Sequence, residues 1–411
     1  MTRQRAPDFV GALPKPQPAT PDPRIFLTGA TGFLGREVLV RLLRAGRTVL
    51  VSSRRRAQES QAELQARLEA LVERTDPGVS VTALTATFAD VTDPRLGLSE
   101  AGQAWMRQPG PVHLVHGAAE VRFDLPIDVM RVQNVQGTLH VLALAQQLQR
   151  EGRLHRVDHV STTYVAGDRT DLALETDIDV GQTPRNAYEA SKLEAEGEVD
   201  KARQAGLPIT VHRPSIIVGD SRSGHAASYK VLYWPMKVYA RGRFRTVFGR
   251  PDCPVDVVPV DYVADALVHL MGSPQALGGT FHLAAGPEGQ ATIASLAAVA
   301  QRVFGRKPVR YIDPDFYFRW LRPILRPILR IFRPDVAERG GVYLPYLRSN
   351  PSFDVQKAQA ILTPAGISPP PVESYFERIM GYALETNFGR QAALPPTTTP
   401  AQDPLHSSVD K

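Results

Sequence analysis

The stretch Arg24 to Gly46, R-I-F-L-T-G-A-T-G-F-L-G-R-E-V-L-V-R-L-L-R-A-G, restricts this chain more than any other. A short apolar run, Ile25 to Leu27, enters a glycine-rich turn, and apolar residues at helical spacing, Leu34, Val38 and Leu42, follow at once. That order is strand, turn, helix. Gly29, Gly32 and Gly35 have separate uses: a tight turn, room for backbone to approach a pyrophosphate, and close packing of helix on strand. The helix N-terminus then offers free N–H groups and the positive end of its dipole to phosphate. A lone glycine triplet also fits an ordinary strand-to-helix turn. Here it opens a chain whose later segments alternate strand and helix, so a dinucleotide site is expected, built on Thr28, Gly29, Thr31, Gly32, Phe33, Leu34 and Gly35.

The alternation predicts an α/β fold: a doubly wound parallel-sheet Rossmann domain with a smaller C-terminal substrate lobe. Thr48 to Ser52 reads as the second strand and ends at Arg54, Arg55 and Arg56. An acidic residue here would bind ribose hydroxyls, whereas arginine suits a 2′-phosphate, so Arg54 points to NADPH; a solvated basic turn is the plainer alternative. Gln58 to Arg74 is a charged helix whose stripe Leu64, Leu68, Leu71 and Val72 covers the sheet. Val79 to Leu84 alternates like a strand, and Asp90 with Val91 is placed near the adenine. Pro111 to His116 is the next strand, with Gly117, Ala118 and Ala119 as a small-residue floor under the cofactor. His116 reads as a packed structural histidine, because no H-E-x-x-H or carboxylate at ligand spacing accompanies it; no metal site is expected.

Asn134, also expected at the cofactor, begins a Leu- and Ala-rich helix running to about Leu148. His155 to Ser161 is then a strand that delivers Ser161, Thr162, Thr163 and Tyr164 to its C-terminal end, where doubly wound sheets place ligands. Next comes Tyr188-Glu-Ala-Ser-Lys192, a tyrosine and a lysine on one helix face. A free phenol has a pKa of about 10, too high for efficient proton exchange near neutrality, and a nearby ammonium favours the phenolate. Lys192 is therefore expected to tune Tyr188 and to bond the nicotinamide ribose. Thr162 helps hold the substrate carbonyl, and Tyr188 protonates or hydrogen-bonds the oxygen that becomes negative as hydride arrives.

With 411 residues and 43% hydrophobic content the chain buries a large core. Cys253 is the one cysteine, so no intrachain disulfide forms and cytoplasm is the default location. A net charge of +6 arises from local arginine runs, and no zinc-finger spacing, RNA-binding signature or long basic block indicates nucleic acid. No apolar run spans a bilayer or forms a signal-peptide core near Met1. Residues 1–23, rich in proline, read as a disordered leader and 390–411 as a disordered tail. Between them, 24–310 is expected to form the cofactor-binding domain with its substrate-side insertions, and 311–389 a helical C-terminal lobe.

The glycine turn, the Ser-Thr strand end and Tyr188 with Lys192 together resemble the extended short-chain dehydrogenase/reductase superfamily over residues 24 to 290. Finer strings, H-V-S-T-T-Y-V-A-G (159–167), V-R-F-D-L-P with N-V-Q-G-T (121–138), R-P-S-I-I-V-G-D-S-R-S-G (213–224) and D-V-V-P-V-D-Y-V-A-D-A (256–266), resemble the fatty acyl-CoA reductase and thioester reductase branch. The resemblance implies Thr162, Tyr188 and Lys192 as the catalytic set, Gly29, Gly32, Gly35 and Arg54 around NADPH, and Arg213, Pro214 and Ser215 beside the nicotinamide. It also implies the reaction: hydride to a thioester carbonyl, an oxyanion held by Tyr188 and Thr162, and loss of thiolate to leave an aldehyde, with a second round giving alcohol. Thioester reductases commonly end longer enzymes that carry adenylation and carrier domains. Neither fits this length, so the expected donor is acyl-CoA or a separate acyl-carrier protein.

Tyr229 to Tyr239 is expected to line an acyl tunnel or to be ordinary core helix. In F-Y-F-R-W-L-R-P-I-L-R-P-I-L-R-I-F-R (316–333), Arg319, Arg322, Arg326, Arg330 and Arg333 form one stripe opposite Trp320, Leu321, Ile324, Leu325, Ile328 and Ile331, the pattern of a helix in a membrane interface. Pro323 and Pro327 each cost about 3 kcal/mol in a helix interior, so a kink is expected, and a lid over the site is the alternative. Two other functions use the same scaffold: a sugar epimerase or hydroxysteroid dehydrogenase, and a catalytically silent NADP-binding regulator or membrane scaffold. Arg54 and the 213–224 string count against the first, the intact Tyr188/Lys192 pair against the second.

Overall fold

The computed structural model describes residues 22–229, 232–242, 245–321, Pro323 and 343–391. The expected leader and tail therefore lie outside the described residues except for 22–23 and 390–391, as does most of the arginine-rich segment, 322 and 324–333.

Seven parallel strands form the central sheet: β1 (Arg24–Thr28), β2 (Val49–Ser53), β3 (Leu84–Phe88), β4 (Val112–His116), β5 (Leu154–Val160), β6 (Ile209–Pro214) and β7 (Thr280–Leu283). Their spatial order is β7-β6-β5-β4-β1-β2-β3. β1 pairs with β2 on one side and β4 on the other, so the order reverses beside it, which is where such sheets open a crevice for ligands. Both faces are covered, and the strands accordingly read as near-continuous apolar runs. Successive β1 side chains go to opposite faces. Ile25 and Leu27 pack with Leu39 of α1 (Phe33–Arg44) and Leu64 and Leu68 of α2 (Gln61–Thr75). Phe26 packs with Trp105 of α3 (Glu100–Arg107) and Val141 of α4 (Gly137–Arg150).

Two element boundaries differ from expectation for local reasons. α2 starts at Gln61, not Gln58, because Ser60 and Glu63 form a reciprocal capping box. The strand expected over Val79 to Leu84 lies at Leu84–Phe88: Val79, Val81 and Ala83 alternate because a loop tucks them against the core, and the Leu84 N–H turns back to the Val81 carbonyl at 3.0 Å.

Helix α5 (Ala187–Gln204) follows β5 and carries Tyr188 and Lys192. Beyond it come α6 (Tyr233–Ala240), α7 (Val260–Gly272), α8 (Ile293–Phe304), α9 (Gln356–Leu362) and α10 (Val372–Glu385). A second core joins Tyr233 and Tyr239 of α6, Leu296 and Ala300 of α8, and Tyr375, Phe376 and Ile379 of α10. The chain past residue 311 serves both cores: Ser352–Phe353 pairs in parallel with Leu172–Ala173, α9 buries Ala358 and Leu362 under the main sheet, and α10 closes the lobe. Of the arginine-rich segment, Tyr317–Leu321 forms a π-helical turn with Tyr317 inward against Phe248 and Phe316 and Trp320 outward, 51% and 59% exposed. Among the described residues no helix is long and apolar enough to cross a membrane.

Candidate active site

A cavity of about 960 Å³ starts at the glycine turn, passes the C-terminal ends of β1, β4 and β5, and continues into the lobe. At its first end Gly29, Thr31, Gly32, Phe33, Leu34, Gly35 and Ala119 form the wall. Gly29 has φ +81°, and a Cβ there would lie 2.5 Å from the Gly117 carbonyl carbon and 2.6 Å from the Ala118 nitrogen. A Cβ on Gly35 would run into the Gly29 backbone, whereas one on Gly32 would meet only the Gly29 oxygen at 3.1 Å. Helix α1 begins with no side-chain cap and no acidic residue in its first turn, so its leading N–H groups face the cavity uncompensated. This cradle fits a dinucleotide pyrophosphate.

Several expected contacts sit beside the cavity rather than on it. The Thr28 hydroxyl is buried, 2.8 Å from His116 Nδ1, and accepts the Ala118 N–H, so Thr28 and Ala118 lock the ends of β1 and β4 together. His116 is packed as read: burial, helped by the Lys192 charge, pushes its imidazole down to about 3. Asp90 spends its Oδ1 on the Thr92 amide and hydroxyl, and Val91 packs over Gly137. Asn134 is saturated by the Glu120 backbone and Ser191, which ties the loop after β4 to α5. Arg213 is 1% exposed, its Nε donating to Glu196 at 2.8 Å and its Nη2 to the Asp177 carbonyl, while Pro214 and Ser215 reach the wall. A guanidinium in the core takes its carboxylate partner with it. Arg54 is exposed and off the wall. Arg36, which no motif singled out, is on it, folded back over the turn with Nε 3.3 Å from the Gly32 carbonyl.

Thr162, Tyr188 and Lys192 meet on the cavity wall where the two halves join. Asn186 caps α5 by accepting the Glu189 N–H, which starts the helix one residue before Tyr188. Burial lifts the Tyr188 phenol to about 12, with a hydrogen bond to Thr162 offsetting part of the shift. Thr162 also accepts the Tyr164 N–H at 3.2 Å. The Lys192 ammonium donates to the Val160 carbonyl at 2.8 Å, and burial lowers it to about 8 against the favourable charge of Glu196. The Lys192 ammonium is turned to β5. Glu196, one turn further along α5, accepts the Ser161 hydroxyl at 2.5 Å.

Beyond this junction the wall is mostly hydrocarbon and aromatic, with Leu232, Trp234 and Met236 around α6, Ile293 and Leu296 of α8, and Tyr343 and Leu347 from the C-terminal part of the chain; Ser228, Arg245, Thr246 and Asn350 are its polar members. Phe123, from the 121–126 string, and Tyr343, Tyr346 and Asn350, which as isolated aromatics and a single amide carry no spacing signal, line it. Among the described residues no group of three or more His, Cys, Asp or Glu side chains is arranged to hold a metal ion.

Sheet order, glycine cradle and the Thr162/Tyr188/Lys192 junction define a dinucleotide-binding domain of the extended short-chain dehydrogenase/reductase type. The NAD-binding family described as male sterility protein matches residues 27–267, more than half of the chain, and the chain belongs to it. Isonitrile lipopeptide synthase of Streptomyces coeruleorubidus is 33% identical over 256 residues, which are 61% of this chain and 17% of that protein. Fatty acyl-CoA reductase wat of Drosophila melanogaster is 25% identical over 280 residues, 60% of this chain and 53% of it. The chain thus spans about half of one relative and under a fifth of the other. In fold it is similar to the terminal R domain of the myxalamid PKS-NRPS pathway, with a TM-score of 0.71, 24% identity, and coverage of 89% of this chain and 91% of that one.

Proposed function

We propose that the protein is an NADPH-dependent reductase of acyl thioesters, releasing an aldehyde. The observation that carries this reading is the continuity of one cavity from the glycine cradle, past Tyr188 and Thr162, into a hydrocarbon-lined chamber. Such walls suit an acyl chain and offer a sugar nucleotide few partners. Relatives named fatty acyl-CoA reductase and lipopeptide synthase support the same substrate class.

In this reading residues 24–310 hold the cofactor and the reacting groups, and 311–389 help wall the acyl chamber. When bound, NADPH supplies the hydride. Gly29, Gly32 and the first turn of α1 would hold its pyrophosphate, and Arg36 with Arg54 favours the form bearing a 2′-phosphate. Tyr188 and Thr162 hold the thioester oxygen, whose negative charge grows as the carbonyl becomes tetrahedral. Lys192, turned from Val160, would bond the ribose and lower the Tyr188 pKa, easing proton transfer to that oxygen. Collapse then expels the thiolate of CoA or of a carrier protein. The outward Phe316 and Trp320, with Arg319 5.5 Å from the Trp320 ring, favour a membrane surface beside the lobe.

The test is NADPH consumption with acyl-CoAs and acyl-carrier proteins, with thiol release measured in parallel. Thiol-linked oxidation is expected with one donor; none with either, while NADPH still binds, would sink the thioester reading. For the membrane, co-sedimentation of Phe316→Ser/Trp320→Ser with anionic vesicles should fall below wild type, and equal binding rejects that contact.

A further inference from the structure

The catalytic helix has a partner that no motif near it announces. Three rings stand in a row: Tyr188 and Phe123 stack at 5.6 Å and 28°, and Phe123 and Tyr346 stack at 5.7 Å and 17°. Offset stacks of this kind stabilise by about 0.5–1.5 kcal/mol each beyond the area they bury. Phe123 comes from the loop after β4 and Tyr346 from the helical turn Leu344–Arg348, so three remote segments meet at one phenol. Tyr346 is also bonded to the frame that carries Tyr188. Its hydroxyl donates to Glu189 Oε1 at 2.5 Å and accepts the Asn186 amide at 2.6 Å, gripping the residues on either side of Tyr188 in the first turn of α5. Asn186 meanwhile caps that turn through its other side-chain atom, and Glu189, fully buried, also accepts the Arg185 N–H at 2.7 Å. Arg185 lies 4.1 Å from the Tyr346 ring and donates to Asn350 at 2.9 Å.

These bonds leave Tyr346 no freedom that Tyr188 does not share. A sub-ångström shift of a proton donor is felt in the chemical step, because only an aligned group stabilises the transition state. We propose that Phe123 and Tyr346 are positioning residues for the Tyr188 phenol, so that a segment lying 157 residues beyond Glu189 completes the catalytic centre. The inference rests on the reading of Tyr188 as the group that holds the thioester oxygen. It assigns the C-terminal turn a role in the rate rather than in cofactor or acyl affinity.

Two conservative variants test it. Tyr346→Phe keeps the ring and removes the bonds to Asn186 and Glu189; Phe123→Leu keeps bulk and removes both stacks. Each is expected to lower kcat roughly ten- to hundredfold, with KM for the thioester and the affinity for NADPH unchanged, and Phe123→Tyr should restore most of the rate. In protein labelled with ¹³C-tyrosine, the Tyr188 resonance, identified by its loss in Tyr188→Phe, should move in both lowered variants and stay in place in Phe123→Tyr. Unchanged kcat with an unmoved resonance overturns the proposal. So does a loss of rate that only tracks lost NADPH binding and a lowered melting temperature, which marks a structural role. If the wild-type protein reduces no thioester, the functional reading fails, and the resonance alone decides whether Phe123 and Tyr346 position Tyr188.

Discussion

Lys192 donates to the Val160 carbonyl at 2.8 Å, at the end of the same strand that delivers Thr162. Its ammonium is therefore held on the sheet. Burial brings its pKa to about 8, against an ordinary 10.5. The charged form is the one proposed to bond a ribose and to lower the Tyr188 pKa, so kcat/KM is expected to fall as pH rises through about 8. Stability moves the other way. Between about 8 and 10.5 the unfolded chain binds the proton that folded Lys192 has released, and stability rises with pH across that window. Urea midpoints of wild type and Lys192→Met over that range check it: the rise belongs to the wild type, and equal slopes reject the assignment.

If Tyr188 and Thr162 share the work at the thioester oxygen as proposed, they should fail differently. Tyr188→Phe removes the proton donor and is expected to cost roughly 10²- to 10⁴-fold in kcat with NADPH affinity retained. Thr162→Val removes one hydrogen bond to the oxyanion, roughly a hundredfold, and Thr162→Ser should keep most of the rate. Single-turnover rates with saturating NADPH measure both; turnover by Tyr188→Phe at the wild-type rate would remove it from the chemistry.

The cradle and the junction were legible in the sequence because backbone geometry and helical spacing leave local marks: Gly29 needs its positive φ, and Tyr188 and Lys192 must share a face. Thr28, Asn134 and Arg213 stand in the quoted strings, yet their side chains turn inward to other protein groups, a choice made by tertiary contacts, and Asp90 is taken by its own neighbour Thr92. A string locates a strand end; it does not tell which neighbour faces the ligand. Phe123 stands in the 121–126 string without any sign that it would stack on Tyr188, and Tyr346 had no local mark at all, since it arrives by a chain return that brings Ser352–Phe353 alongside Leu172–Ala173.

Arg213 and Glu196 are 1% exposed each, and their pairing fastens β6 to α5. Removing one partner strands a charge in the core, so Arg213→Met is expected to destabilise by about 3–5 kcal/mol. Replacing both, Arg213→Met with Glu196→Leu, removes the stranded charge and should recover much of that loss. Denaturant titration of the two single variants and the double gives the coupling directly. Additive losses would mean that the pair is not the fastening.

Glu175 offers a second pH dependence, of opposite sign to that of Lys192. It is 1% exposed and accepts N–H groups from His282 of β7 at 2.9 Å and from Lys357 and Ala358 at the start of α9 at 2.7 and 3.2 Å. Those donors favour the carboxylate, but burial outweighs them, with Asp354 adding repulsion, and lifts the group to about 7 from 4.5. The folded chain therefore holds a proton that the unfolded chain has lost between about 4.5 and 7, and stability falls as pH rises across that interval, by roughly 3 kcal/mol at most. Glu175→Gln keeps an oxygen for the three N–H groups and removes the titration. Its urea midpoint should stay level from pH 5 to 8 while that of the wild type declines, and parallel curves would show that Glu175 titrates elsewhere. Because α9 follows the turn that carries Tyr346, with only the strand Ser352–Phe353 between them, the same loosening should reach the cavity wall, and activity of the glutamine variant should hold at the upper end of the range better than that of the wild type.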